Sequence, residues 1–379
     1  MTVNKKVLIA YHFYQLNETY VENFQHFLLF GYDSRYQYYV LISGECTVQL
    51  PQVENIKYIF VENKNNDFGG YCHLIKEALD IDDYEYFIFV NSSIRGPFLP
   101  PFVKDSWVDL FIDRLTEGVG LVGPTICILS PKNEYSKMYQ SEYGGIPPYS
   151  HVQSTAYAIN QNTLKILVNS GFYDENKILS KSEVILKYET QLSQLVKENG
   201  LSISSFLPEY SEINYLQAHD DINPTSSDGD PSMQSCYFGR TLHPYEAVFI
   251  KTNRGLHPNA YLLRLAYSQL KSINNSEKFF LNDPAIRSYI QKLYLVAQSN
   301  ETLSDVTYAS EADQLQELKI GYAQLIRERD ELILYATQLE KEGKKQFVYW
   351  SDLISAYQNS TSWKITAPLR GMFDKLKGR

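Results

Sequence analysis

The feature that most constrains the fold is a continuous apolar run at residues 86–90 (YFIFV), which consists of aromatic and β-branched side chains. A run of this length and composition is typical of a strand that is buried on both faces of a sheet. Three weaker runs precede it, at residues 6–11, 38–43 and 56–61, and helical spacing of apolar residues separates them at 20–30 and 67–79. This alternation predicts an α/β fold with a mostly parallel sheet and helices on both faces.

The pattern continues more weakly towards residue 258. Residues 120–122 and 154–159 predict two further strands, and residues 185–199 predict a helix that stops at Gly200. Residues 220–230 are rich in Asp, Ser, Asn, Gly and Pro, which predicts a mobile loop. Residues 245–251 close the α/β pattern, so we expect one domain over residues 1–258.

From residue 259 onward the pattern is helical throughout. We predict a helical linker over residues 259–305 and a coiled coil over residues 306–345. The coiled coil is predicted from apolar residues at alternating spacings of three and four: Leu315, Leu318, Tyr322, Leu325, Leu332 and Leu339. Such a stripe favours a homo-oligomer, although a helix packed on its own domain gives a similar stripe.

The last segment, residues 346–379, combines apolar and basic side chains. Trp363, Leu369 and Phe373 alternate there with Lys364, Arg370, Lys375, Lys377 and Arg379. This combination predicts an amphipathic helix at an anionic membrane surface. Docking on a partner protein is the alternative.

Composition excludes some classes of function. A net charge of −9 argues against nucleic acid as a partner, because phosphate backbones require basic surfaces. The four cysteines lack metal-ligand spacing and are typical of a reducing compartment. The N-terminus has no secretion-signal pattern, and no apolar run is long enough to span a bilayer. We therefore expect a cytoplasmic protein, peripherally associated with the inner face of the membrane.

The loop after residues 86–90 is the first place to look for a site, because open α/β sheets bind ligands at the carboxyl ends of their strands. Asn91, Ser92, Ser93 and Arg95 follow this run. Hydroxyls, an amide and a guanidinium suit contacts to a diphosphate and a ribose. An ordinary polar turn is the alternative reading of the same residues.

Several segments together carry a family resemblance. Residues 63–102 (NKNNDFGGYCHLIKEALDIDDYEYFIFVNSSIRGPFLPPF), 151–154 (HVQS) and 242–251 (LHPYEAVFIK) occur in that order. They resemble a family of GT-A-like glycosyltransferases related to rhamnan-synthesis proteins, over roughly residues 5–255. The tail at 360–370 (STSWKITAPLR) is similar to a C-terminal signature of surface-polysaccharide enzymes.

The resemblance implies a nucleotide-sugar donor site. Asn91-Ser92-Ser93 stands where most such enzymes carry Asp-x-Asp, whose carboxylates hold a divalent ion. With no carboxylate there, we expect weak or no metal dependence, with basic side chains in place of the ion. The implied donor-binding residues are Tyr11, His12, Asn65, Asp67, Asn91, Ser92, Ser93, Arg95, His243, Lys251 and Arg254. For Asp67 a helix N-cap is the alternative role.

The resemblance also implies a catalytic base and an acceptor side. Inverting transfer needs a carboxylate that takes the proton of the acceptor hydroxyl. Glu189 stands at the comparable place, with Glu183 as its competitor. His151, Gln153 and Ser154 are expected to contact the acceptor, although a buried histidine with a purely structural role is the alternative for His151.

These observations favour a glycosyltransferase that moves a sugar from a nucleotide donor, dTDP-rhamnose by analogy, onto a growing surface polysaccharide or lipid-linked glycan. The missing Asp-x-Asp keeps open a non-catalytic subunit that recognises glycan within a polysaccharide assembly complex. A sugar-phosphate transferase is a third hypothesis, which predicts release of a nucleoside monophosphate.

Overall fold

A computed structural model describes residues 5–174, 177–272, 279–298, 341, 343–345, 347–356 and 359–366. The chain divides into two compact units, Met1–Val306 and Thr307–Arg379. The predicted sheet and the candidate site residues all belong to the first unit. The apolar stripe predicted to form a coiled coil lies outside the described residues, and so does the predicted basic tail beyond residue 366.

Eleven strands occur within the described residues. They are β1 (Val7–Tyr14), β2 (Gln37–Ser43), β3 (Ile56–Val61), β4 (Tyr86–Asn91), β5 (Ile94–Arg95), β6 (Val119–Gly123), β7 (Ile126–Leu129), β8 (Tyr149–Val152), β9 (Ala156–Asn160), β10 (Ser202–Ser205) and β11 (Ile250–Lys251). The six strands predicted from apolar runs correspond to β1, β2, β3, β4, β6 and β9.

Seven of these described strands form one sheet, in the order β10-β6-β9-β4-β1-β2-β3. The pairs β1–β2, β1–β4, β2–β3 and β6–β10 are parallel, whereas β9 runs antiparallel to both β4 and β6. Two short antiparallel ladders, β5–β11 and β7–β8, lie beside it. The predicted α/β fold with a mostly parallel sheet is therefore confirmed.

The described helices are α1 (Glu18–Gly31), α2 (Asn66–His73), α3 (Trp107–Ile112), α4 (Glu134–Tyr143), α5 (Gln161–Asn169), α6 (Lys181–Val184), α7 (Gln191–Glu198), α8 (Pro244–Ala247), α9 (Asn259–Ser272), α10 (Arg287–Gln298) and α11 (Thr361–Ile365). Two π-helical segments extend them, Leu74–Ala78 after α2 and Ile185–Thr190 between α6 and α7. The helix predicted over 185–199 thus begins four residues earlier, at a Ser180 capping box, and contains a wide turn.

The core lies on both faces of the sheet. On one face Tyr11 of β1 packs against Phe24 and Phe27 of α1, with ring centroids 5.3 and 4.6 Å apart. On the other face Phe89 of β4 packs against Tyr71 of α2 at 5.0 Å. This packing fixes the start of α2 relative to the end of β4. Predicted site residues lie at both places, Asp67 in α2 and Asn91 in β4.

Residues 259–272 and 287–298, which belong to the predicted helical linker, form helices that pack on the sheet domain. His26 of α1 bonds the hydroxyl of Tyr289 at 2.8 Å, and Gln25 donates to the carbonyl of Ala285 at 2.8 Å. Lys292 forms ion pairs with Glu18 and Glu22. Helices α9 and α10 are therefore part of the first unit, because α1 presents buried polar groups that they satisfy.

The second unit is helical at residues 347–356 and 361–365. Several large apolar side chains of its first helical stretch are exposed: Phe347, Val348, Tyr349, Trp350, Leu353 and Ile354. Within the described ranges, every helix falls short of the length and apolar character that a membrane-spanning segment needs.

Candidate active site

The carboxyl ends of β1 and β4 lie side by side, with His12 paired to Asn91 in register. Asn91 ends β4, and its amide nitrogen donates to the Asp67 carboxylate in the first turn of α2 at 3.2 Å. The Asn91 side-chain oxygen accepts from the Ser93 amide at 3.1 Å and from the Ser93 hydroxyl at 2.7 Å. These bonds bring Asp67, Asn91 and Ser93 together at one edge of the sheet, and all three are partly exposed.

Ser92 has a different role from its two neighbours. It is buried, and its hydroxyl oxygen accepts from the Tyr14 amide at 3.0 Å and lies 3.3 Å from the Tyr14 carbonyl. These bonds hold the loop to the end of β1. The structure corrects the prediction that Ser92 binds the donor, since its hydroxyl is used inside the protein.

Arg95 is also corrected. Its side chain has 0% exposure, and its guanidinium donates to Glu22, Asn23 and Asn259 at 2.9, 2.9 and 2.6 Å. Both partners on α1 and the partner at the start of α9 are distant in sequence. Arg95 therefore joins α1, β5 and α9, and its charge is balanced inside the protein rather than offered to a diphosphate.

Glu189 lies in the π-helical segment Ile185–Thr190 and is partly exposed. Among the described residues its carboxylate makes no hydrogen bond and no salt bridge. Its negative charge nevertheless influences the pKa values of Asp67, His151 and Lys251, which places it close to all three. An available carboxylate beside polar groups is what a general base requires. Segments with π geometry are frequent at functional sites.

The competitor Glu183 is placed differently. It is exposed, and its carboxylate accepts from the Ser180 amide at 2.7 Å while the Ser180 hydroxyl accepts from the Glu183 amide at 3.4 Å. This reciprocal pair is a capping box that satisfies the N-terminus of α6. Its geometry explains Glu183 as a helix cap.

Lys251 lies next to the loop after β4 because β11 pairs with β5, with Lys251 opposite Ile94. The following residue, Thr252, donates its amide to the Ser93 carbonyl at 3.1 Å. Burial lowers the pKa of Lys251, whereas the charge of Glu189 raises it. Within the described residues, no carboxylate lies in salt-bridge distance of its ammonium group.

A buried polar network supports the site from the side of β7 and β8. Arg254 forms a 2.6 Å ion pair with Asp230, and the Gln153 amide also donates to Asp230 at 3.1 Å. The Gln153 oxygen accepts from the hydroxyls of Thr125 and Ser232, each at 2.6 Å. Gln153, predicted to contact the acceptor, therefore positions Asp230, and Arg254, predicted to contact the donor, is held in the same network.

Asp230 was missed by the sequence analysis, which included it in a mobile loop. The loop is instead held across β7, since the Ile128 amide donates to the Gly229 carbonyl at 3.0 Å. A Cβ at Gly229 would lie 2.0 Å from the Ile128 carbonyl oxygen, so a glycine is needed at this position. Burial raises the pKa of Asp230, but Arg254 and Lys251 outweigh burial and lower it. The Asp230 carboxylate thus stays ionised near Lys251.

His151 of β8 is buried, which agrees with the alternative prediction of a histidine with a structural role. It nevertheless lies near Glu189, whose charge influences its pKa. Its Nδ1 lies 3.0 Å from the Tyr149 carbonyl, which can only accept, so Nδ1 carries the proton and Nε2 is an acceptor in the neutral ring. Burial lowers the pKa of His151, while Glu189 raises it. Ser154 is buried at the end of the same segment and contributes to the packing there.

Tyr11 and His12 do not reach the edge of the sheet. The sequence predicted that β1 ends at Tyr11, but the strand continues to Tyr14. Tyr11 is consequently buried against α1, and His12 lies against α2, where a Cβ at Gly70 would be 2.8 Å from its ring. Burial lowers the pKa of His12 to about 4. The structure corrects the prediction that Tyr11 and His12 bind the donor.

The side chains of Asn65 and His243 form hydrogen bonds within the protein. The Asn65 side chain donates to the Lys177 carbonyl and accepts from the Leu179 amide, both at 2.8 Å. Asn65 occupies the N-cap position of α2 without a side-chain cap bond, and Asp67 lies in the first turn rather than at the N-cap. His243 caps α8, with Nδ1 accepting from the Tyr245 amide and Nε2 at 2.6 Å from the Tyr261 hydroxyl. Neither side chain has a free polar edge for a donor.

The described residues around the loop after β4 hold no cluster of metal ligands. Among the described residues no group of three or more His, Cys, Asp or Glu side chains is arranged to hold a metal. The carboxylates nearest the loop, Asp67 and Glu189, share their surroundings with the ammonium group of Lys251. Lys251 is therefore a cation that the chain itself supplies beside the loop after β4.

Comparison with known proteins adds little to this geometry. No family model and no curated protein matches the chain. Among solved structures, an active-site mutant of LgtC matches with 12% identity and a TM-score of 0.33, over 67% of this chain and 90% of that one. The galactosyltransferase LgtC in complex with donor and acceptor sugar analogs matches with 11% identity and a TM-score of 0.34, over 69% and 95%. A likeness this weak carries no function to the chain.

Proposed function

We propose that the chain is a glycosyltransferase that moves a sugar from a nucleotide sugar to a growing surface polysaccharide or lipid-linked glycan. One observation carries the proposal. The partly exposed Glu189 carboxylate has no bonding partner among the described residues, and it lies close to Lys251, Asp67 and His151. A free base and a cation at the edge of an α/β sheet suit displacement of a diphosphate by a hydroxyl.

The proposed reaction is a single displacement with inversion. The acceptor hydroxyl oxygen forms a bond to the anomeric carbon, and its proton passes to the Glu189 carboxylate. The bond between the anomeric carbon and the diphosphate oxygen breaks, and the nucleoside diphosphate leaves with the bonding electrons. Positive charge placed at the leaving oxygen stabilises the transition state, and Lys251 is the side chain best situated to supply it.

The donor is proposed to lie over Asn91, Ser93 and Asp67, whose polar atoms meet at the carboxyl ends of β1 and β4. Asp67 is proposed to hydrogen-bond a sugar or ribose hydroxyl. The acceptor is proposed to approach from the side of His151, whose Nε2 is an acceptor in the neutral ring. The resemblance to rhamnan-synthesis enzymes makes dTDP-rhamnose the first donor to test.

A product assay tests the proposal and separates it from its alternatives. The full chain is incubated with a panel of nucleotide sugars and a lipid-linked acceptor, with and without EDTA, and released nucleotide and glycan product are measured by mass spectrometry. Release of nucleoside diphosphate with an extended acceptor, unaffected by EDTA, is the expected result. Nucleoside monophosphate would indicate a sugar-phosphate transferase. Glycan binding without turnover would indicate a non-catalytic subunit.

Donor affinity should depend on pH through Asp67. The pKa of Asp67 is raised to about 7, mainly by burial and also by the charge of Glu189, whereas Asn91 and Lys251 lower it. Below pH 7 the neutral carboxyl adds no charge beside an anionic diphosphate, and above pH 7 the carboxylate repels it. Affinity measured by calorimetry from pH 6 to pH 8.5 should therefore fall as pH rises, by up to about tenfold per unit.

The control for this pH dependence is Asp67→Asn, which keeps the size of the side chain and cannot ionise. Its donor affinity should stay nearly constant over the same pH range. If the variant and the original chain lose affinity in parallel, another group is responsible and Asp67 does not contact the donor.

We further propose that residues 346–379 bind an anionic membrane surface and that residues 306–345 mediate a homo-oligomer. The exposed aromatic residues Phe347 and Trp350 support the first part, together with the exposed Lys341, Lys344 and Lys345 just before them. Aromatic and basic side chains close together in sequence are typical of segments that lie in a membrane interface. This surface would keep the enzyme near a lipid-linked acceptor.

Replacing both Phe347 and Trp350 with Ser should weaken binding to vesicles that contain anionic lipid by at least about tenfold, because the lost aromatic area no longer enters the interface. Co-sedimentation at low and high salt measures this, and high salt should weaken the binding of the original chain. Equal binding of the variant and the original chain would contradict the proposal.

A further inference from the structure

A cavity of about 340 Å³ is lined by residues of α4, β8 and α7 and of the segments next to them. Tyr139, Tyr149 and Tyr215 form its floor, and the exposed side chains of Ile146 and Leu216 form an apolar rim. Its volume lies at the lower end of the range for small-molecule sites. We call it the α7 cavity, because Gln194 and Lys197 of α7 line one wall.

Lys197 is the cation of this cavity. Its ammonium group donates to the Ser150 carbonyl at 3.2 Å, and among the described residues no carboxylate lies in salt-bridge distance. Burial lowers its pKa to about 8, and the neighbouring Glu198 acts in the opposite direction. Glu198 also lines the cavity, but it is exposed, so water screens its charge. The ammonium group therefore remains protonated at neutral pH with two N–H groups available to a ligand.

Strand β8 contributes residues both to the cavity and to the surroundings of Glu189. Tyr149 lines the cavity, and His151, two residues further on the same strand, lies near Glu189. Glu189 raises the pKa of His151 and Lys197 lowers it, so His151 lies within the field of both. Along the helix, Lys197 is about 12 Å beyond Glu189, given a rise of 1.5 Å per residue. An acceptor glycan would have to span this distance to reach both Glu189 and the cavity.

We propose that the α7 cavity binds an anionic sugar unit of the acceptor, one that carries a carboxylate or a phosphate. This inference rests on the proposed function for the direction of the acceptor. The apolar rim matches the flat face of a sugar ring, Gln194 lies on the same wall, and the ammonium group of Lys197 pairs with the anion. The cavity thereby selects acceptors by charge at a position away from the new bond.

Binding of defined sugars to the full chain tests this proposal without any nucleotide sugar, so its result is independent of transferase activity. The probes are a galacturonic acid trisaccharide, galactose 6-phosphate and a neutral galactose trisaccharide, and affinity is measured by calorimetry. The galacturonic acid trisaccharide should bind at least tenfold more tightly than the neutral one. Tighter binding of galactose 6-phosphate would identify phosphate rather than carboxylate as the preferred anion.

The matched variants are Lys197→Met and Lys181→Met, since Lys181 is an exposed lysine at the start of α6 and outside the cavity. Lys197→Met should remove the preference for the charged trisaccharide, and Lys181→Met should retain it. Lys197→Arg, which keeps the charge, should retain most of it and reports on the site if the Met variant does not fold. Equal affinity for charged and neutral probes, no binding of any probe, or an unchanged Lys197→Met variant would each overturn the proposal.

Discussion

Replacing Glu189 with Gln is expected to lower the rate of sugar transfer by about 10²–10⁴-fold, the contribution usual for a positioned general base. The variant keeps the size of the side chain and loses only the ability to accept a proton. Donor affinity should change little, because the base acts on the acceptor hydroxyl. Product formation at saturating donor measures the first effect, and calorimetry with the donor measures the second.

Glu183→Gln is the matched control for this prediction. Glu183 lies six positions earlier in the same run of helical residues, and Gln also completes a capping box. This variant should transfer sugar at nearly the original rate. If Glu183→Gln loses activity and Glu189→Gln does not, the base has been assigned to the wrong carboxylate.

Replacing Arg95 with Met should destabilise the chain by about 3 kcal/mol, the lower end of the range for removing one partner of a buried ion pair. The guanidinium joins Glu22, Asn23 and Asn259 with no exposure to solvent. After the change, the buried Glu22 carboxylate retains bonds from Lys292 and Asn259, which is why we expect the lower value. Chemical unfolding of the two chains measures the difference.

Arg35→Met is the control for Arg95. Arg35 forms an exposed ion pair with Asp33, and such pairs contribute about 0–1 kcal/mol. Stability should therefore change little in that variant. If Arg95→Met keeps its stability but loses donor affinity, Arg95 contacts the donor, as the sequence predicted. Its main role is then not to stabilise the buried network.

Much of the sheet could be predicted because its strands are continuous apolar runs, which only a buried strand accommodates at this length. β3 was predicted to its exact residues, and β4 within one residue. The prediction for β1 ended three residues early, because His12 is polar and the sequence does not show that α2 covers it. Short strands such as β7 and β8 were missed, since four residues give too little periodicity.

The candidate site was harder to predict, because local sequence does not show where a side chain finds its partners. The residues around Arg95 suit phosphate binding, but the three side chains that its guanidinium bonds lie 72, 73 and 164 residues away in the sequence. Asp230 lies in a segment whose composition indicates a mobile loop, yet the contact of Gly229 with β7 and the bonds from Arg254 and Gln153 hold it in place. By contrast, both Asp67 and Asn91 were predicted as site residues, because Asp67 starts a recognisable helix and Asn91 directly follows a recognisable strand. The structure joins the two side chains by a hydrogen bond.

The wide turn at Ile185–Thr190 has a consequence for reading related chains. A π-type turn amounts to one residue inserted into an otherwise regular helix, and one residue of an α-helix corresponds to a rotation of about 100°. A relative that lacks this inserted residue would point the equivalent carboxylate to a different side of the helix, even with every flanking residue unchanged. Alignment of an acidic residue with Glu189 therefore does not by itself show that its carboxylate faces the candidate active site.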